Sequence, residues 1–195
     1  MSISIENKDL AKYITDLVGT NRTVQRFWDE EKKLSSDVFT CDDPQNEQLK
    51  FYGTIGLSDY PNVIARTDGG SMNIPVELLM VGSKEFDLVR NLLATCSFYI
   101  MTDKWQCQPG TVFMKMIETY YPDSEMKHVY FTSPFLWEDK LKAVVYQTKT
   151  VHWIQAIPIS ESELNYKKEK GGMAFEKLLK ESEFDCFDFG RKSLI

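Results

Sequence analysis

The sequence predicts an α+β fold: a mixed, mainly antiparallel sheet flanked by helices. Three observations predict it. Elements follow the order helix, several strands, helix, more strands, helices, without strict strand–helix alternation. Of 195 residues, 43% are hydrophobic and 13% aromatic, enough for a sizeable core without disulfides or metal. The third is the segment 151–163, Val-His-Trp-Ile-Gln-Ala-Ile-Pro-Ile-Ser-Glu-Ser-Glu, a strand apolar on both faces that runs into a capped helix start. A single domain over 1–195 is expected.

Leu10, Tyr13, Ile14, Leu17 and Val18 recur at helical spacing and Gly19 supplies a stop, so a helix is expected over 7–18. Residues 23–28 read as a short strand, followed by a charged turn of Asp29, Glu30, Glu31, Lys32 and Lys33. Strands are expected over 36–41 and 49–57, where Gly53 and Gly56 point to a bulge or a close backbone approach. Residues 63–67 and 74–81 read as a hairpin around Asp68-Gly69-Gly70. Ser83 is placed to cap a helix over 84–103, with the stripe Phe86, Val89, Leu92, Leu93, Cys96, Ile100.

Residues 111–118 fit strand or loop. Strands follow over 127–132, 142–147 and 151–157. Pro158 lacks the N–H that a ladder needs, so pairing is expected to fail there. Ser160 and Glu163 form the S-x-x-E capping box of a helix over 161–169, and a second helix covers 174–181 after Gly171-Gly172. Phe184, Phe187 and Phe189 alternate with Asp185 and Asp188 as a last strand.

Charge and cysteine usage narrow the function. Against 23 Lys and Arg stand 29 Asp and Glu, a net charge of -6. That balance argues against generic nucleic-acid binding and suits a basic partner. Cys41, Cys96, Cys107 and Cys186 show no C-x-x-C spacing. No signal-peptide pattern and no apolar run of ~18 residues appear, so no membrane partner and a cytoplasmic location are expected.

Candidate chemistry is sparse. Asp188-Phe189-Gly190 matches the kinase metal triplet in spelling, without the loops that give it meaning. His128 and His152 read as core histidines; Cys107 with His128 is the one nucleophile pairing to weigh. Asp68-Gly69-Gly70-Ser71 lacks the lysine of a phosphate loop. No catalytic residue, metal site or cofactor is expected. Two acidic groups remain as a rim for a basic protein: Asp29, Glu30, Glu31, and Glu161, Glu163 with Asp185 and Asp188. Trp28, Trp105 and Trp137 are candidate anchors beside them.

Several patterns in order resemble the suppressor of fused family: Gly56-Leu57-Ser58-Asp59; Thr67-Asp68-Gly69 followed by Glu77-Leu78; Lys127-His128; Pro134-Phe135; the Trp153 strand with its Ile-Pro; and Phe187-Asp188 ending near Arg191. Phe135-Leu136-Trp137-Glu138 and Ile159-Ser160-Glu161-Ser162-Glu163 are most similar to the small bacterial branch. The resemblance implies an α+β domain without catalytic machinery. Animal members are regulators that bind a transcription factor. Small bacterial members resemble antitoxin or immunity proteins that neutralise a cognate toxin, often a nuclease. The alternative is a regulatory or scaffold protein that takes a partner peptide onto a sheet edge, with 127–132 as the candidate edge.

Overall fold

The computed structural model describes residues 3–137, 140–182 and 184–195. Glu138, from the Phe135-Leu136-Trp137-Glu138 pattern, lies outside them. Helix α1 (Ile5–Val18) starts ahead of the expected position because the Ser4 hydroxyl accepts the Asn7 N–H at 3.1 Å. Strands β1 (Thr20–Trp28), β2 (Ser35–Asp42) and β3 (Leu49–Ile55) form an antiparallel meander. Gly53 in β3 is a close approach: a Cβ there would meet the Phe39 ring at 2.4 Å. Gly56 lies beyond the strand at φ 88°, in the left-handed region.

The expected hairpin pairs differently. β4 (Val63–Ala65) pairs with β5 (Ser71–Asn73) in a small separate ribbon, and β6 (Val76–Ser83) joins the main sheet beside β3. Pro75 separates β5 from β6 and has no N–H to continue the ribbon. Helix α2 (Val89–Met101) starts later than the periodicity predicted, and Ser83 ends β6 instead of capping it. Residues 84–88 form a turn held by tertiary contacts. Lys84 N–H reaches the Gln48 carbonyl at 2.8 Å, Leu88 N–H reaches the Tyr121 hydroxyl at 2.7 Å, and Phe86 packs on Tyr121 and Phe189.

The ambiguous stretch after Thr111 holds β7 (Val112–Phe113) and the short α3 (Met116–Tyr120), followed by β8 (Met126–Thr132). The strand expected over 142–147 shrinks to β9 (Val144–Val145), paired with β10 (Thr150–Ser160). β10 passes through Pro158 and stays in register with β8 as far as Ile159, before a shift at Ser160. The Pro158 carbonyl goes to Arg191 at 2.9 Å, so the edge without an N–H faces away from β8, on the side where pairing with β6 has already stopped at Ala156. Helices α4 (Glu161–Lys170) and α5 (Gly172–Glu181) complete the elements.

No final strand forms at 184–189. The Asp185 carboxylate accepts Phe187 N–H at 2.8 Å and the Asp188 carboxylate accepts Gly190 N–H at 2.6 Å. These local turns outcompete an extended ladder.

The main sheet runs β1-β2-β3-β6-β10-β8-β7. β6 and β10 are parallel; the other neighbours are antiparallel. Side chains alternate between its faces. Leu78, Met80, Ile154 and Ala156 pack with α2, whereas Leu79, Val81, Val151 and Trp153 pack with α1. Ile157 and Ile159 meet Leu164 and Phe175 of α4 and α5.

The outer strand β1 is blunted. Asn21 sits at φ 50° where the register against β2 slips, and exposed Arg22 and Arg26 are ion-paired to Asp16 and Asp37. The candidate edge 127–132 is covered. Phe113 and Val112 pair with Val129 and Tyr130, and Phe131 N–H donates to the Thr111 carbonyl.

Candidate partner interface

The β1–β2 turn and the outer face of α2 enclose an open groove of about 460 Å³. Turn chemistry fixes one wall. Asp29 accepts Lys33 N–H at 2.7 Å and Leu34 N–H at 3.0 Å, and its own N–H donates to the Leu34 carbonyl. This closes the hairpin and leaves Trp28, at its tip, 51% exposed. The stripe that includes Leu92, Leu93, Cys96 and Ile100 faces the core, so Phe98 and Tyr99 fall toward the groove and stay half-buried. Tyr120 of α3 joins them, its hydroxyl 2.5 Å from Thr95.

Rings fill this surface. Tyr99 stacks on Trp105 at 4.2 Å, and Trp105 meets Phe113 edge-on at 4.9 Å. The Arg26 guanidinium lies 5.9 Å over the Trp28 ring while it binds Asp37 through two hydrogen bonds of 2.6 and 2.7 Å. Among the described residues, the groove's charged lining is Asp29, Glu30 and Asp103, with no lysine or arginine.

The predicted acidic residues separate. Asp29 and Glu30 line the groove, while the exposed Glu31 pairs with Lys33. Glu161 lies four strands across the sheet order, roughly 19 Å sideways at the usual strand spacing, and at the opposite end of the strands, since β10 ends on the side where β1 begins. Its side chain is 58% exposed and meets His128 Nε2 at 2.8 Å. Glu163 is not on a rim at all. Fully buried, it accepts Arg191 through bonds of 2.6 and 2.8 Å, Ser160 N–H at 3.0 Å and Leu194 N–H at 3.0 Å. Asp185 and Asp188 close the turns described above.

Of the three tryptophans, Trp28 and Trp105 meet the aromatic surface, whereas Trp137 packs inward against Phe51 at 5.1 Å. Sequence reading missed Phe98, Tyr99, Asp103 and Tyr120. A signal was present: Phe98-Tyr99 falls outside the apolar stripe of α2.

The nucleophile pairing finds no support. His128 Nδ1 accepts Lys115 N–H at 2.9 Å, which leaves its other nitrogen to Glu161. The Cys107 backbone exchanges two hydrogen bonds with the Asn62 side chain, at 2.8 and 2.9 Å. Burial pushes the thiol of Cys41 up to about 11 and those of Cys96 and Cys186 up to about 12; it holds Cys107 well above the ordinary range. Among the described residues no group of His, Cys, Asp and Glu is arranged to hold a metal ion, and no helix is long and apolar enough to cross a membrane.

The family patterns build two interior anchors. At one, the buried Glu77 carboxylate accepts Thr54 Oγ1 at 2.6 Å and the N–H groups of Gly56, Leu57 and Ser58 at 2.8, 3.3 and 3.1 Å. Lys149 ties the next residues, bonding Ser58 Oγ at 2.8 Å and pairing with Asp59. Arg191 with Glu163 is the other.

Comparison with known proteins agrees with these patterns. The family described as Suppressor of fused protein (SUFU) matches residues 32–192. Immunity protein YqcF of Bacillus subtilis (strain 168) is 33% identical over 195 residues, covering 100% of both chains. A putative SUFU homologue from Neisseria gonorrhoeae shares the fold with a TM-score of 0.68 at 15% identity, covering 96% of this chain and 93% of that one. A chain from the Sufu–Fu complex crystal structure aligns with a TM-score of 0.66 at 13% identity, over 96% of this chain and 91% of that one.

Proposed function

This chain belongs to the suppressor of fused family, and from that premise we propose that it is an immunity protein that binds a cognate toxin and blocks it. The observation that carries the reading is the end-to-end correspondence with a relative named as an immunity protein. In this reading the chain works in the cytoplasm as one suppressor of fused-like domain, as a binder and not as an enzyme. The toxin is a nuclease: a protein that grips phosphates presents a basic face, and the net charge of -6 here complements it. The exposed acids Glu30, Glu31 and Glu161 are the contact residues, supported by turn and helix-start positions that hold them at the surface.

The test is co-expression with the toxin domain encoded beside the gene. Growth should be rescued, and the two proteins should co-elute from a sizing column, burying ~1,600 Å² between them. Continued toxicity together with separate elution would overturn the reading.

A further inference from the structure

We propose that the groove between the β1–β2 turn and α2 is a receptor for an arginine side chain presented by a basic segment of the partner protein; this rests on the function proposed above. Three features of the groove converge on a guanidinium. Its walls carry aromatic rings from separate elements, Trp28 at the hairpin tip, Phe98 and Tyr99 on α2 and Tyr120 on α3. Its charged lining residues, Asp29, Glu30 and Asp103, are all carboxylates. Asp29 is committed to its turn through two backbone N–H groups, so Glu30 and Asp103, both exposed, are the acceptors, Asp103 through the oxygen that does not take the Thr102 hydroxyl at 2.6 Å.

The molecule demonstrates the chemistry on itself, since Trp28 already takes the Arg26 guanidinium at 5.9 Å. That cation is matched by Asp37, so it leaves the groove's negative field intact. Nearby Lys104 directs its amine to the Met101 carbonyl, and Lys33 pairs with Glu31. A planar guanidinium can stack on a ring and hydrogen-bond to carboxylates at the same time; a lysine ammonium cannot reproduce that geometry. The volume of about 460 Å³ accommodates the anchor together with a few flanking atoms of its segment.

Two arms test this. In the first, the toxin domain encoded beside the gene is titrated against the wild type, Trp28→Ala, the double variant Glu30→Gln/Asp103→Asn, and the surface control Glu169→Gln. The groove variants should bind at least ~10-fold more weakly and the control should match the wild type. If the wild type binds and all variants bind equally, the groove is not the receptor and the proposal falls, while the proposed function stands. If the wild type itself fails to bind, the proposed function falls, and the second arm decides the groove alone. That arm follows backbone and indole NMR signals during titration with blocked Gly-Arg-Gly, Gly-Lys-Gly and Gly-citrulline-Gly peptides. The arginine peptide should shift Trp28, Phe98 and Tyr99 signals several-fold more than the other two, and Trp28→Ala should abolish the effect. Equal shifts from all three peptides, or none, would overturn the assignment.

Discussion

Glu77 and Glu163 are both completely buried, and they are satisfied in opposite ways. Glu77 meets neutral donors, one hydroxyl and three backbone N–H groups, and it ties the loop after β3 to β6. Glu163 meets a full countercharge, the two-pronged Arg191, and it ties residues near the end of the chain to the start of α4. Burial pushes the Glu77 carboxyl up, against the donors that pull it down. A carboxylate held by dipoles holds one loop in shape. A carboxylate held by a guanidinium holds two distant segments together, but leaves a second charge exposed to risk if either partner is lost.

Arg191→Ala is expected to have the largest effect, a loss of ~3–5 kcal/mol in urea unfolding, because the Glu163 carboxylate is left buried without its countercharge. Replacing both partners, Glu163→Leu with Arg191→Met, should recover most of that loss. A double variant as unstable as the single one would mean that hydrogen bonds to Ser160 and Leu194, and not charge pairing, dominate this anchor.

Glu77→Gln should cost less, ~1–3 kcal/mol, since it removes acceptors but strands no opposite charge. Its pH dependence gives the sharper distinction. The folded carboxyl titrates above its ordinary value of 4.5, so between that value and its raised one the folded state holds more protons than the unfolded state. Wild-type stability from this group therefore falls as pH rises through that window. The gap between wild type and Glu77→Gln should be widest in acid and narrow toward neutral pH in parallel unfolding series. A gap that widens with rising pH would place the donors above burial.

Ser160→Ala should have the smallest effect, ~1 kcal/mol in thermal unfolding, through loss of the α4 cap. The Ser160 hydroxyl accepts Glu163 N–H at 3.1 Å, and the Glu163 side chain returns a bond to Ser160 N–H. The effect should shrink in the Glu163→Leu/Arg191→Met background, because the two parts of the box work together.

Much of this was legible in the sequence, and the limits have physical causes. The capping box at Ser160 and Glu163 rests on local chemistry, so it appeared where expected, whereas the strand before it ran on through Pro158 because that residue's missing N–H faces away from β8. Glu163 was readable as a cap but not as a buried ion-pair partner, because Arg191 returns to it from 28 residues away. Phe184, Phe187 and Phe189 alternate like a strand, yet Asp185 and Asp188 spend their carboxylates on local turns. Trp28 was a candidate anchor from the start. Its companions Tyr99, Asp103 and Tyr120 come from α2, the turn after it and α3, and only the packing of those helices on the sheet brings them together.

The bulge at Asn21 and the paired arginines of β1 have a consequence for how this hairpin meets other molecules. An open strand edge accepts almost any extended chain, because its backbone groups look alike. Here the slip at Asn21 and the charges along β1 disfavour such pairing, and Trp28 is offered at the tip. That favours partners recognised by the identity of their side chains, which turns a sticky border into a more selective one.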